Sequence, residues 1–299
     1  FAVFGYQKEE RTREPWYRDK IMRFYGEPAS DGYDFYLRKG PLKNITEQFH
    51  HDNFFWEQIV EHPNYDDFWQ KRNILPHLRG IDHAVMTVGG WFDAEELYGP
   101  LNIYKTIEAH NPQAKNTLVM GPWDHGGWTR ERGQTTHNHI YFGDSISTHY
   151  QKEIERQFFN YHLKDEGTLT LPEAYMFDTG TKQWRSFDQW PPKDVAPLSL
   201  YFGENGTLSL DSPTDPDAVF SYTSDPDKPV PYTSQTEGLT FTPRRFMSDD
   251  QRFASRRPDV LTFETEPLED PRTIAGEILA KLQVSMTGSD ADFVVKLID

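Results

Sequence analysis

The sequence predicts an α/β unit joined to an all-β unit, and three observations carry that reading. Two short apolar runs, each closed by glycine, flank a stretch with helical spacing, the pattern of a strand–helix–strand crossover. Beyond residue 163 the helical spacing gives way to short alternating runs broken by Gly, Pro, Asn and Asp. Ahead of both, residues 1–78 are rich in aromatic and charged side chains at helical intervals, such as Phe54, Phe55, Ile59, Phe68 and Trp69.

The chain has 299 residues, enough for two or three packed units. Eight Trp and fifteen Tyr in a charged background describe a globular protein rather than a disordered one. A formal net charge of −16 and the lack of any basic run exclude nucleic acid as an expected partner. No apolar run reaches the roughly eighteen residues that span a bilayer, so no membrane partner is expected. With no cysteine there is neither a disulfide framework nor thiolate chemistry, and the compartment stays open.

Taken in order, residues 1–78 read as a helical cap cut into short helices by Gly26-Glu27-Pro28 and Lys39-Gly40-Pro41. Residues 79–168 form the α/β unit. Ala84–Val88, closed by Gly89-Gly90, reads as a buried parallel strand. From Ala94 to His110 the apolar residues Leu97, Leu101, Tyr104 and Ile107 recur at three or four, and Asn111-Pro112 ends the helix. Thr117–Met120, closed by Gly121-Pro122, is the second strand, parallel to the first. An amphipathic helix over Tyr150–Leu163 completes the unit. Residues 169–299 form the β-rich unit, with strands expected at Ala174–Phe177, Leu198–Phe202 and Phe293–Ile298. The last of these ends with the sequence, so this unit is expected to be incomplete. No internal repeat is present.

In parallel sheets the loops after the carboxyl ends of the strands hold reactive groups. Here those loops read Gly-Gly-Trp-Phe-Asp93 and Gly-Pro-Trp-Asp-His125. An acid after one strand and a histidine after the next is the order of the last two members of a Ser–Asp–His triad in an α/β-hydrolase sheet. The carboxylate would orient the imidazole, which takes the serine's proton. Spacing alone leaves a plain structural reading open, in which Asp93 caps the following helix and His125 is an ordinary loop residue.

The stretch VGGWFDAEELYGPLNIYKTIEAHNPQAKNTLVMGPWDHGGW closely resembles the α/β-hydrolase family of X-Pro dipeptidyl-peptidases, cocaine esterase, α-amino acid ester hydrolases and glutaryl-7-aminocephalosporanic acid acylases. The similarity extends over nearly the whole chain. It implies that Asp93 of the GWxD segment is the triad acid and His125 of the GPWxHGGW segment the triad base. It also implies that LPEAYMFDTGTKQWRSFDQWPP and DDQRFASRRPDVLTFETEPL belong to a jelly-roll domain, whose family form continues beyond Asp299. A periplasmic or secreted location fits the resemblance better than others do.

One departure from the family pattern stands out. The family nucleophile lies in a GxSYxG turn, and no such turn occurs in these 299 residues. Gly143-Asp144-Ser145-Ile146-Ser147 and Thr287-Gly288-Ser289-Asp290 lack the second glycine, and a strand-to-helix setting is expected at neither. The resemblance therefore implies a C-terminal part of the enzyme, with the N-terminal half of the same enzyme, which carries the nucleophile, as its expected partner. Alone, this chain is expected to be inactive. Self-association through a bare sheet edge, giving a homo-oligomer, is the alternative to such a partner.

Among weaker candidates, Asp66 and Asp67 lie near where relatives that take α-amino acyl substrates place carboxylates for the substrate ammonium. Their structural reading is a helix N-terminus. Trp91, Phe92, Trp123 and Trp128 flank the acid and the base and could wall an acyl pocket, or simply pack. His50-His51-Asp52 and His137-Asn138-His139 lack a complete metal-binding pattern, so neither a metal nor a cofactor is expected. The expected activity is serine ester or amide hydrolysis on a small acyl substrate or short peptide, with the ester hydrolase and acylase branch favoured. The alternatives are X-Pro dipeptidyl-peptidase activity and a non-catalytic jelly-roll module that binds carbohydrate or peptide.

Overall fold

A computed structural model describes residues 31–41, 43, 44, 46, 54–130, 134–215, 217–236 and 244–299. Among the described residues the chain opens with helices α1 (Gly32–Lys39), α2 (Phe54–Glu61) and α3 (Asp67–Gln70), followed by a 3-10 turn at Leu75–His77. Asp31 starts α1 by accepting the Asp34 N–H at 3.1 Å, as an N-cap carboxylate does. The same end is tied to the far part of the chain, where Gly32 N–H donates to the Thr236 carbonyl and the Tyr33 hydroxyl to that of Pro229. The turn signal at residues 26–28 lies outside the described residues.

The sheet that positions the site has four strands in the order β1-β2-β5-β6: β1 (Val85–Gly90), β2 (Asn116–Gly121), β5 (Ala174–Asp178) and β6 (Gln183–Phe187). β1 and β5 both run parallel to β2, and β6 returns antiparallel at the edge. Leu118, Val119 and Met120 of the inner strand are each 0% exposed, which explains their unbroken apolar run. Alternation divides them between two faces. Leu118 and Met120 pack with Tyr104, Ala174 and Met176 beneath helix α4 (Tyr98–His110). Val119 packs on the other face with Trp123, Phe142, Ile146, Tyr150, Ile154 and Phe177.

That second face is covered by a long helical stretch: α5 (Ile146–His149), a π-helical segment (Tyr150–Glu155) and α6 (Arg156–Lys164). It begins four residues before the expected Tyr150. Helix α4 starts at Tyr98 rather than at Ala94, because the Asp93 carboxylate takes the N–H groups of Glu95 and Glu96 in a local turn before helical geometry sets in.

The segment Ala174–Phe177, assigned from sequence to the β-rich unit, instead joins the parallel sheet beside β2. Its apolar alternation suits either sheet, and only the pairing partner distinguishes them. Leu198–Phe202 shortens to β7 (Tyr201–Phe202), paired with β8 (Leu208–Ser209). Phe293–Ile298 forms no strand: the segment is exposed, without a ladder partner among the described residues.

A further pair, β3 (Gln134–His137) and β4 (Ile140–Asp144), forms an antiparallel hairpin. Ser145 follows β4 with φ 55° and leads directly into α5. The strand-to-helix setting that the sequence did not predict at Ser145 is therefore present. It stands on an antiparallel hairpin rather than on a parallel strand of the main sheet. No described helix is long and apolar enough to cross a membrane.

Candidate active site

The site lies where β1 and β2 end side by side, with Gly90 opposite Gly121 in the parallel register. Beyond them the two loops stay zipped together. Trp91 N–H donates to the Gly121 carbonyl at 2.9 Å and Phe92 N–H to that of Trp123 at 3.0 Å. Gly90 makes this approach possible, since a Cβ there would run into the Trp123 carbonyl. Asp93 and His125 are carried together by this backbone pairing.

Oδ2 of Asp93 stands 3.0 Å from His125 Nδ1. The other carboxylate oxygen, Oδ1, accepts the N–H groups of Glu95 and Glu96 at 2.9 and 3.0 Å. The Asp93 side chain is 1% exposed and that of His125 is 41% exposed. A buried, anchored carboxylate thus backs an imidazole that solvent or substrate can reach. With Nδ1 turned to the acid, Nε2 is the ring nitrogen left to exchange a proton.

The two structural readings of Asp93 turn out to be compatible. It holds the backbone ahead of α4 through Oδ1 and faces His125 Nδ1 with Oδ2 at 3.0 Å and, more loosely, with Oδ1 at 3.3 Å. His125 sits in a turn closed by Gly126, whose φ of 68° is the left-handed conformation that glycine adopts freely.

The flanking aromatics pack. Trp123 is 3% exposed and meets Trp128, Tyr150 and Trp184 at ring-centroid distances of 6.2, 5.4 and 5.8 Å. Trp91 donates its indole N–H to the Phe177 carbonyl at 2.9 Å and lies against Trp190. Phe92 stacks on His137 at 4.3 Å and touches Phe142. Trp128 is half-buried. These rings support the two loops from beneath, and sequence reasoning did not single out His137 as the partner of Phe92.

Asp66 caps α3 by accepting the Phe68 N–H at 2.9 Å, and its other oxygen is 2.6 Å from His62 Nδ1. The hydrogen bond from His62 is the main cause that holds this carboxyl below its ordinary range. His62 and Arg72 stack on the Phe68 ring, so Asp66 belongs to a compact corner. Asp67 is exposed, with Lys71 4.0 Å away. Among the described residues no hydrogen bond or ion pair links either aspartate to Asp93 or His125. Among the described residues no group of three or more His, Cys, Asp or Glu could hold a metal ion.

Adjacent parallel strands that bring a buried aspartate against an accessible histidine describe an α/β-hydrolase-like unit. Residues 19–127 match the model of the X-Pro dipeptidyl-peptidase (S15 family), and residues 167–299 match that of the X-Pro dipeptidyl-peptidase C-terminal non-catalytic domain. The chain belongs to this family. It is 31% identical over 259 residues to a cocaine esterase from Rhodococcus sp. (strain MB1 Bresler), which covers 81% of this chain and 42% of that protein.

Solved structures agree. An aminopeptidase from the marine sediment archaeon Thaumarchaeota archaeon superposes with a TM-score of 0.75 at 31% identity, over 82% of this chain and 41% of its own. An α-amino acid ester hydrolase superposes with a TM-score of 0.74 at 29% identity, over 83% and 42%. The chain therefore spans about two fifths of the length of these relatives.

Proposed function

We propose that this chain supplies the acid, Asp93, and the base, His125, of a serine hydrolase acting on esters or amides of small acyl groups. The observation that carries the reading is the 3.0 Å approach of Asp93 Oδ2 to His125 Nδ1 at the ends of paired parallel strands. The serine comes from outside these 299 residues, because no GxSYxG turn occurs in them. By itself the chain is inactive.

In the complete site the serine hydroxyl attacks the carbonyl carbon while His125 Nε2 takes its proton, and Asp93 stabilises the resulting imidazolium. The proton then passes to the leaving alcohol or amine, which departs as the acyl-enzyme forms. Water, deprotonated by the same nitrogen, releases the acid and restores the serine.

An α-amino acid ester or related acyl substrate is the preferred class, supported by the likeness to the esterase and ester hydrolase relatives. X-Pro peptide cleavage is the second reading, favoured by the family model over residues 19–127. Residues 1–78 form the cap, 79–168 the C-terminal half of the hydrolase domain, whose sheet β5 and β6 extend from the following segment, and the remainder of 169–299 a jelly-roll unit. The partner is a polypeptide carrying the nucleophile half.

Labelling with a fluorophosphonate probe tests the assignment. The chain alone should take up no label, and the chain combined with a polypeptide bearing a GxSYxG turn should be labelled on that turn's serine. Labelling of Ser145, which follows β4 at positive φ, would overturn the assignment of the nucleophile.

A further inference from the structure

The histidine loop is held by its carbonyls. From Asp124 to Trp128 all five consecutive carbonyl oxygens accept hydrogen bonds. Three are bonded within the loop itself: Asp124 accepts from Gly127 N–H at 2.9 Å, His125 from the Arg130 guanidinium, and Gly126 from the Thr129 N–H and hydroxyl at 3.2 and 2.9 Å. The remaining two also reach the neighbouring helix. Ser147 Oγ donates to the Gly127 carbonyl at 3.1 Å, which the Arg130 N–H also reaches, and Gln151 Nε2 donates to the Trp128 carbonyl at 2.8 Å.

Ser147 and Gln151 stand four residues apart, one helical turn, so both face the loop. They straddle the junction where α5 gives way to the π-helical segment at Tyr150. A π turn widens the helix locally, and such turns recur at functional positions. Tyr150, between them, packs edge-on against Trp123 in the same loop. Ser147 is 7% exposed, so its hydroxyl bond to the loop is made inside the fold, where a lost partner is costly.

We propose that Ser147 and Gln151 are positioning residues for His125, which use this helix to hold the loop so that Nδ1 stays on Asp93. The inference rests on the acid–base reading above. A loop held by two donors on one rigid helix resists the small displacement that costs an acid–base pair its alignment. Neither residue touches the imidazole, so each acts through the loop backbone.

The test is nitrogen-15 NMR of the histidine rings in the 299-residue chain, which reads the tautomer of neutral His125 directly. In the unaltered chain the Nδ1–H tautomer should dominate. Gln151→Met keeps the side-chain length without the donor, and Ser147→Ala removes the hydroxyl. Each should lower the ratio of Nδ1–H to Nε2–H tautomer at least threefold, and the double variant further, with the far-ultraviolet circular dichroism unchanged. A merely structural role would lower the melting temperature and leave the tautomer ratio alone, which would overturn the proposal. Asp93→Asn separates the two levels. If it leaves the ratio unchanged, the acid–base reading itself fails. If it collapses the ratio while Gln151→Met and Ser147→Ala do not, only the positioning role fails.

Discussion

Both oxygens of Asp93 face Nδ1 of His125, Oδ2 at 3.0 Å and Oδ1 at 3.3 Å, and Oδ1 also accepts the Glu95 and Glu96 N–H groups. Asp93→Asn keeps the shape but offers an amide where Nδ1–H needs an acceptor, and it can hold the wrong tautomer. In an active hydrolase containing this chain, the substitution should lower kcat by roughly 10³–10⁴-fold with little change in KM. Stopped-flow hydrolysis of an activated ester measures both constants.

The core predicts a second outcome. Leu118 is 0% exposed on the inner strand and packs against Tyr104 and Met176. Leu118→Ala should destabilise the chain by about 2–5 kcal/mol, from lost burial and the cavity left behind. Urea unfolding followed by tryptophan fluorescence gives the value.

A pH effect of defined sign comes from Glu108 on α4. Burial raises its pKa, opposed by the hydrogen bond from Asn116 and reinforced by the nearby Glu173 carboxylate. A carboxyl whose folded pKa is raised stabilises the fold fully below its unfolded value, near 4.3, and loses that contribution as pH rises through the folded value. Glu108→Gln retains an oxygen for Asn116 without the charge. It should raise the melting temperature at neutral pH and have little effect below about pH 4. Melting curves across that range decide the matter.

Asp66 offers a test of cap against charge. Asp66→Asn keeps an oxygen for the Phe68 N–H, and Asn caps helices as well as Asp does. The melting temperature should therefore fall more for Asp66→Ala than for Asp66→Asn. If both fall equally, the charge facing His62 matters more than the cap.

Much of this arrangement was legible because it rests on local pattern. Thr117–Met120 reads as a strand since both faces of β2 are covered, and the loops after β1 and β2 place Asp93 and His125 side by side. Distant pairing was less legible. Ala174–Phe177 has the same alternation whether it joins β2 or another sheet, and the β-branched run at Phe293–Ile298 reads as a strand although nothing pairs with it among the described residues. Ser147 and Gln151 carried no signal at all, because they bind backbone carbonyls, which every residue has. The positive φ at Ser145 was hidden for a related reason: serine gives no local sign of that conformation.

In the proposed mechanism His125 is the base serving a serine supplied from outside these 299 residues. The most direct measurement is the turnover number for an activated ester by a protein that unites this chain with a GxSYxG segment, compared with its His125→Ala variant under matched circular dichroism. The variant should lose at least about 10³-fold in kcat. Turnover within a factor of a few of the unaltered protein would contradict it.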